Sequence, residues 1–252
     1  MILGHRMHGS GPNLVVVLHE WLGDSQNWSG VTPYLPEDQF RCLLVDLRGY
    51  GMSKQIRGTY TLEEAASDVI ALVRRLTGGS FHLVAHSMSA LVAQYILAFE
   101  KSVSRALLVS PVPPAGFKMN EDAFARLLAV IDDDDAALAA IAARTGSRYG
   151  NGWLRRKLAT ARLSASREAM RGYAHMFTQN DISESVRGVG IPIRVVAGKY
   201  DLPVYRADTI RETFGAIYRH LEVVECSEAG HYGVVEAPVF IASEIERFLS
   251  VE

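Results

Sequence analysis

Short apolar runs alternate along this chain with longer stretches in which apolar residues recur every three or four positions. Leu14-Val-Val-Val-Leu18 is rich in β-branched residues, too short for a helix and bounded by Gly11-Pro12-Asn13, which predicts a strand. Phe40 to Asp46, Phe81 to His86 and Arg105 to Ser110 read the same way. Thr61-Leu-Glu-Glu64 has the spacing of a capping box, in which the Thr61 oxygen accepts from the N–H three residues on and Glu64 reaches back. The helix that follows is expected to bury Ala65, Val69, Leu72, Val73 and Leu76 on one face and to end before Gly78-Gly79. Continuous apolar strands separated by amphipathic helices imply an α/β fold with a mostly parallel central sheet and helices on both faces.

The pattern changes at Pro111-Val-Pro-Pro114, and from 120 to about 182 no strand signal remains. Asn120 is placed to cap a helix running through Ile131, and Asp134 or Asp135 to cap another through Ala143. Leu154, Leu158 and Ala161 are helically spaced, as are Met170, Tyr173 and Phe177. Strand patterns return at Ile191 to Gly198 and at Leu221 to Glu225, and Pro238 opens a last helix through Leu249. The chain therefore divides into an α/β core, 1–111 and 188–252, and an inserted all-helical block, 112–187.

Composition narrows the class. Over 252 residues, 48% are hydrophobic and mean hydropathy is +0.07, enough for a full core. The net charge of −2 provides no basic field for nucleic acid or an anionic membrane. The longest apolar run, Ala136 to Ala143, has eight residues, against the roughly twenty of a membrane span. No secretory pattern opens the chain. Cys42 and Cys226 form no C-x-x-C pair, which argues against a disulfide framework or a thiolate zinc site. The expectation is a soluble, cytoplasmic protein with no metal and no cofactor, either monomer or homodimer.

The chemistry concentrates at the ends of the predicted strands. Phe81-His-Leu-Val-Ala-His-Ser87 leads from a strand into a helix, with small residues, Ala85 and Ser89, on both sides of Ser87. Small flanks are what a sharp strand-to-helix turn needs if it is to expose a nucleophile. A serine hydroxyl needs a base, and the base an orienting acid. Asp201 follows the strand ending at Gly198, and His231 follows the last strand, both on the edge where open α/β sheets carry their sites. A tetrahedral intermediate also needs two N–H donors. Met88, at the start of the nucleophile helix, is placed to supply one, and Trp21, in the loop after the first central strand, the other.

These segments resemble the α/β-hydrolase fold family in its version with a helical cap. His19-x-Trp21-x-Gly23 is similar to the family's H-G-x-x-G oxyanion loop, and Asp46-Leu-Arg-Gly-Tyr-Gly-Met-Ser53 to its D-x-R-G-x-G-x-S turn, where Asp46, Arg48 and Ser53 read as structural. His86-Ser-Met-Ser resembles the H-S-M-G elbow, and Gly230-His to Glu236-x-Pro238 the closing histidine block. The resemblance implies a cofactor-independent serine hydrolase of a small carboxylic ester or lactone. Ser87 would be the nucleophile, His231 the base and Asp201 its orienter. Carbon–carbon bond hydrolysis of dienoate ring-cleavage products is a second outcome of the same triad. Haloalkane dehalogenases and epoxide hydrolases share the fold but use an aspartate where this chain has Ser87.

The departures from the family pattern matter as well. Ser89 replaces a glycine, as in the RsbQ and strigolactone-receptor branch of slow signalling hydrolases, which supplies a ligand-sensing alternative. Glu20 also stands where glycine is usual. Dienelactone hydrolases carry a glutamate there, so Glu20 is either a tuner of the nucleophile or an outward-facing carboxylate. The short segment before Leu14 implies that the family's first edge strand is missing. From Arg144 to Arg171 eight basic residues stand against one acid, Glu168, while 120–135 is acidic. Solvated helix faces pairing across the block explain this, with an inward arginine on a substrate carboxylate as the sharper reading. The run Asp132 to Asp135 lacks the spacing of a calcium loop and fits helix capping.

Overall fold

Seven strands join in one sheet, in the order β1-β3-β2-β4-β5-β6-β7, in the computed structural model, which describes residues 2–250. Met1, Val251 and Glu252, assigned to the core above, lie outside the described residues. The strands are β1 (His5–His8), β2 (Asn13–Leu18), β3 (Phe40–Val45), β4 (Phe81–His86), β5 (Val103–Val109), β6 (Ile193–Gly198) and β7 (Leu221–Cys226). All neighbours pair in parallel except β1, which runs antiparallel to β3 with His5 opposite Val45 and His8 opposite Cys42. This is the α/β-hydrolase fold.

The short segment before Leu14 does carry an edge strand, β1. It escaped the pattern because His-Arg-Met-His has no apolar alternation and lies half in solvent. An edge strand needs a partner on one side only, and polar residues suit it.

Alternate residues of the central strands enter two separate cores. Leu14, Val16 and Leu18 of β2 face one side, with α1 (Leu62–Leu76), α2 (Met88–Phe99) and α8 (Ala207–Gly215). Val15 and Val17 face the other, against Trp28 and the Ile241, Ile245 and Phe248 stripe of α10 (Pro238–Leu249). A sheet buried on both faces needs unbroken apolar runs, which is why β2 to β5 stand out in the sequence.

Local differences follow from specific partners. Thr61 caps α1 through Glu64 N, but the Glu64 carboxylate accepts from the Thr59 and Tyr60 amides, upstream of the N-cap. Leu76, expected on the buried face, is 42% exposed because the helix ends there beyond the edge of the core.

Between β5 and β6 the chain is helical: α3 (Glu121–Asp132), α4 (Asp134–Arg144), α5 (Asn151–Ser164), α6 (Arg167–Gln179) and α7 (Ser183–Val186). Asn120 caps α3 as expected, but Asp133, not Asp134 or Asp135, caps α4, accepting from the Asp135 and Ala136 amides. Charge pairing within the block is extensive. Arg162 reaches Asp134 and the carbonyls of Val130 and Ile131, and Arg167 and Arg171 both reach Asp132.

The block is fastened to the sheet by the turn that begins at Asp46. Its carboxylate accepts from the Ser25 amide at 2.8 Å and the Met52 amide at 2.9 Å. Arg48 pairs with Asp68 and Glu64, and Ser53 accepts from Gly4 N, so all three residues are structural. Gly49 has φ +76°, and a Cβ there would collide with Ala169 of α6, while its carbonyl accepts from Ser166 N. Only glycine satisfies both the left-handed backbone and the close approach.

Short helix α9 (Gly233–Glu236) follows β7 and leads into α10.

Candidate active site

Ser87 sits between β4 and α2 with φ +54° and ψ −114°, a conformation that costs a non-glycine residue of order 1–3 kcal/mol. The end of β5 and the loop after it hold it there. Its amide donates to the Val109 carbonyl at 2.9 Å, and its own carbonyl accepts from Val112 N at 3.3 Å. Ser89 explains how the elbow tolerates a residue other than glycine, because its hydroxyl donates to the His19 carbonyl and ties the elbow to the loop after β2.

The structure brings Ser87, His231 and Asp201 together. Ser87 Oγ lies 2.8 Å from His231 Nε2, and His231 Nδ1 lies 2.7 Å from Asp201 Oδ2. All three are buried, at 6%, 3% and 1% exposure. Asp201 is fixed by the Leu202 amide on its second oxygen at 2.6 Å. A carboxylate accepting at Nδ1 selects the tautomer that leaves Nε2 free to accept from the serine.

The loop carrying His231 is pinned at several points. Its amide donates to the Arg144 carbonyl at 2.8 Å, and its carbonyl accepts from His86 Nε2 at 2.7 Å. Glu236 accepts from the Gly230 and Tyr232 amides, at 2.9 and 2.8 Å, and pairs with Arg148. That bridge accounts for the spacing from Gly230 to Glu236 seen in the sequence. Burial pushes the Glu236 carboxyl above its usual range, and those amides and Arg148 oppose the rise.

Trp21 and Met88 both line the pocket over Ser87. Among the described residues, neither backbone N–H is taken by a protein acceptor. Trp21 is nevertheless held on three sides. Its indole N–H donates to the Met170 carbonyl at 2.9 Å, its carbonyl accepts from Tyr50 OH at 3.0 Å, and its ring meets Phe177 edge-on.

Glu20 is turned away from solvent and lines the same pocket as Ser87. It is 2% exposed, accepts from Leu22 N at 2.6 Å and Asn27 Nδ2 at 2.9 Å, and forms an ion pair with Lys157 of α5. The outward-facing expectation is therefore corrected, since the carboxylate meets a buried ammonium. Burial alone would raise the Glu20 carboxyl, but Lys157 and His86 outweigh it and hold the group down at about 2. Lys157, counted above among the basic residues of solvated faces, is only 4% exposed. Sequence reasoning missed it. The available signal was an acid beside the first central strand, which needs a cation once buried.

The pocket is tight: its cavity volume of about 20 Å³ has room for about one water and lies well below the range of ligand sites. Val112, Phe117 and Phe177 form its apolar wall, and Tyr205, Tyr232 and Arg144 its polar one. Of the basic residues between Arg144 and Arg171, only Arg144 lines it, and among the described residues it has no acidic partner. The arrangement can abstract a proton from Ser87, stabilise an imidazolium, and present two N–H groups to an anionic oxygen. No group of three or more described His, Cys, Asp or Glu residues is placed to hold a metal ion, and no described helix is long and apolar enough to cross a membrane.

A model of the alpha/beta hydrolase family matches residues 7–244. A non-heme chloroperoxidase of Streptomyces lividans is 27% identical over 77% of this chain and 76% of its own length. A soluble epoxide hydrolase of Corynebacterium sp. strain C12 is 26% identical over 99% of this chain and 96% of its own. Among solved structures, an esterase from Exiguobacterium antarcticum superposes with a TM-score of 0.85 at 19% identity, over 99% of this chain and 96% of that one.

Proposed function

The chain belongs to the alpha/beta hydrolase family, and on that premise we propose that it hydrolyses a small carboxylic ester or lactone through an acyl-enzyme on Ser87. The observation that carries this reading is the buried relay from Ser87 Oγ to His231 Nε2 at 2.8 Å and from His231 Nδ1 to Asp201 at 2.7 Å.

Ser87 Oγ attacks the carbonyl carbon and its proton passes to His231 Nε2, while the Asp201 carboxylate stabilises the imidazolium. The oxygen that becomes anionic is met by the Met88 and Trp21 amides, the former at a helix N-terminus. On collapse the carbon–oxygen bond to the alcohol breaks, and His231 returns its proton to that alcohol. Water then repeats the sequence, giving its proton to His231, releasing the acid and restoring Ser87. In this reading the helical block 112–187 is the cap, and Phe117 and Phe177 select the acyl or alcohol group.

An aspartate-nucleophile reaction, as in an epoxide hydrolase, has no support here, because position 87 offers a hydroxyl. The residue that resembles the signalling branch, Ser89, is occupied in a structural bond to His19, which favours the enzyme over a ligand sensor.

The test is a panel of p-nitrophenyl esters, aliphatic lactones and dienoates with wild-type protein and Ser87→Ala. Steady turnover of esters or lactones at about 1 per second or faster, lost in the variant, is expected. Turnover of dienoates alone, a single burst followed by stalling, or activity surviving Ser87→Ala would overturn the reading.

A further inference from the structure

Glu20 and Lys157 are 2% and 3% exposed at their side chains, a pair of full charges placed beside the pocket in a core that would accept glycine and an apolar residue at lower desolvation cost. Their contacts bracket one residue, Leu22, next to Trp21. Lys157 Nζ meets Glu20 Oε1 and donates to the Leu22 carbonyl at 2.7 Å, and Glu20 Oε2 accepts from the Leu22 amide at 2.6 Å. Residues 20 and 22 are thus both gripped, and Trp21 stands between them. Asn27 Nδ2 adds a third hold on Glu20 at 2.9 Å. The same ammonium lies 4.6 Å from the centre of the Tyr232 ring, next to His231, an attractive placement over an aromatic face.

We propose that the Glu20–Lys157 pair sets the direction of the Trp21 N–H toward the developing oxyanion, which makes Lys157 a positioning residue for acyl transfer. The inference rests on the acyl-transfer reading above. A donor for a developing charge acts only if it already points at the place where that charge appears. The Glu20 carbonyl is held by His19 Nδ1 at 2.9 Å and the Trp21 carbonyl by Tyr50 OH at 3.0 Å, and the pair fixes the next residue, Leu22, using one residue from the loop and one from helix α5. The inserted helices therefore complete the oxyanion site through α5.

The experiment follows covalent labelling of Ser87 by a fluorophosphonate, whose phosphoryl oxygen takes the place of the oxyanion, alongside hydrolysis of p-nitrophenyl acetate. Lys157→Met is expected to be folded by circular dichroism and labelled at least tenfold more slowly, with kcat reduced in proportion and KM within threefold. Labelling within twofold of wild type would overturn the proposal.

The double variant Glu20→Gln/Lys157→Met removes both charges at nearly constant volume, so its melting temperature should recover relative to the single variant while labelling stays at least tenfold slow. Recovery of both together would mean that the pair only fills space, and would overturn the proposal. Failure of both variants to fold would place the pair's role in folding and overturn it as well. No labelling of Ser87 in wild type would instead sink the acyl-transfer reading, and this inference with it.

Discussion

His86 donates from Nε2 to the carbonyl of His231 at 2.7 Å, so the residue before the candidate nucleophile holds the backbone of the candidate base. A carbonyl can only accept, which puts the ring hydrogen on Nε2 and leaves Nδ1 buried with no hydrogen-bond partner. Burial pushes His86 down to about 4, with Glu20 opposing and His231 and Lys157 assisting. The folded protein thus keeps His86 neutral where the unfolded chain protonates it, near its ordinary 6.5. Between those values the unfolded state binds more protons, so stability should fall as pH falls, by roughly 1 kcal/mol per pH unit. Thermal melts from pH 7 to 4 check this, and His86→Gln, which keeps a donor but does not titrate, should flatten that slope.

Ser87→Ala, His231→Ala and Asp201→Asn should each lower kcat by about 10⁴ to 10⁶, and combining them should add little, because residues acting as one relay fail together. Stopped assays on purified variants with an activated ester measure this. EDTA should leave the rate unchanged, since every group in the proposed reaction belongs to the chain. A reversible loss in chelator would point to a different chemistry.

Arg144 is a cation at the pocket wall without an acidic partner among the described residues. Esters carrying a free carboxylate should accordingly be preferred. Arg144→Leu should raise their KM about tenfold, the scale of one charge-assisted hydrogen bond, with neutral esters within about threefold. Equal losses for both substrate classes would remove Arg144 from substrate recognition.

Asp46 accepts from two amides in different segments, Ser25 and Met52. Asp46→Ala leaves both unpaired in a part of the molecule where Asp46 itself is 1% exposed. It should cost about 2–3 kcal/mol in urea unfolding. Activity per folded molecule should change far less than in the relay variants.

How much of this was visible in advance depends on where each residue's partner lies. Strands β2 to β5 announce themselves because burial on both faces requires unbroken apolar runs. Ser87, Asp201 and His231 could be aligned in order because each follows a strand on the same edge of one sheet. Strand β1 was hidden, since its pairing with β3 satisfies the backbone and asks nothing of its side chains. Asp133 could not be told from Asp134 or Asp135 as the cap of α4, because adjacent aspartates have the same capping chemistry and only the backbone decides. Lys157 was the deepest omission. In a run of basic residues nothing local marks one as buried, and the acid that draws it inward lies 137 positions away.

The carbonyl of Arg144, the last residue of α4, accepts the His231 amide, and a Cβ on Gly230 would collide with that same carbonyl. The end of an inserted helix is therefore a backbone template for the loop that carries the base. This limits how freely the helices can be exchanged between relatives. A chimera that imports another protein's helices with the last turn of α4 replaced would change its specificity and detune its base in one step. One that keeps 140–148 native and splices on either side leaves the His231 loop on its own template, and only the walls of the pocket are exchanged.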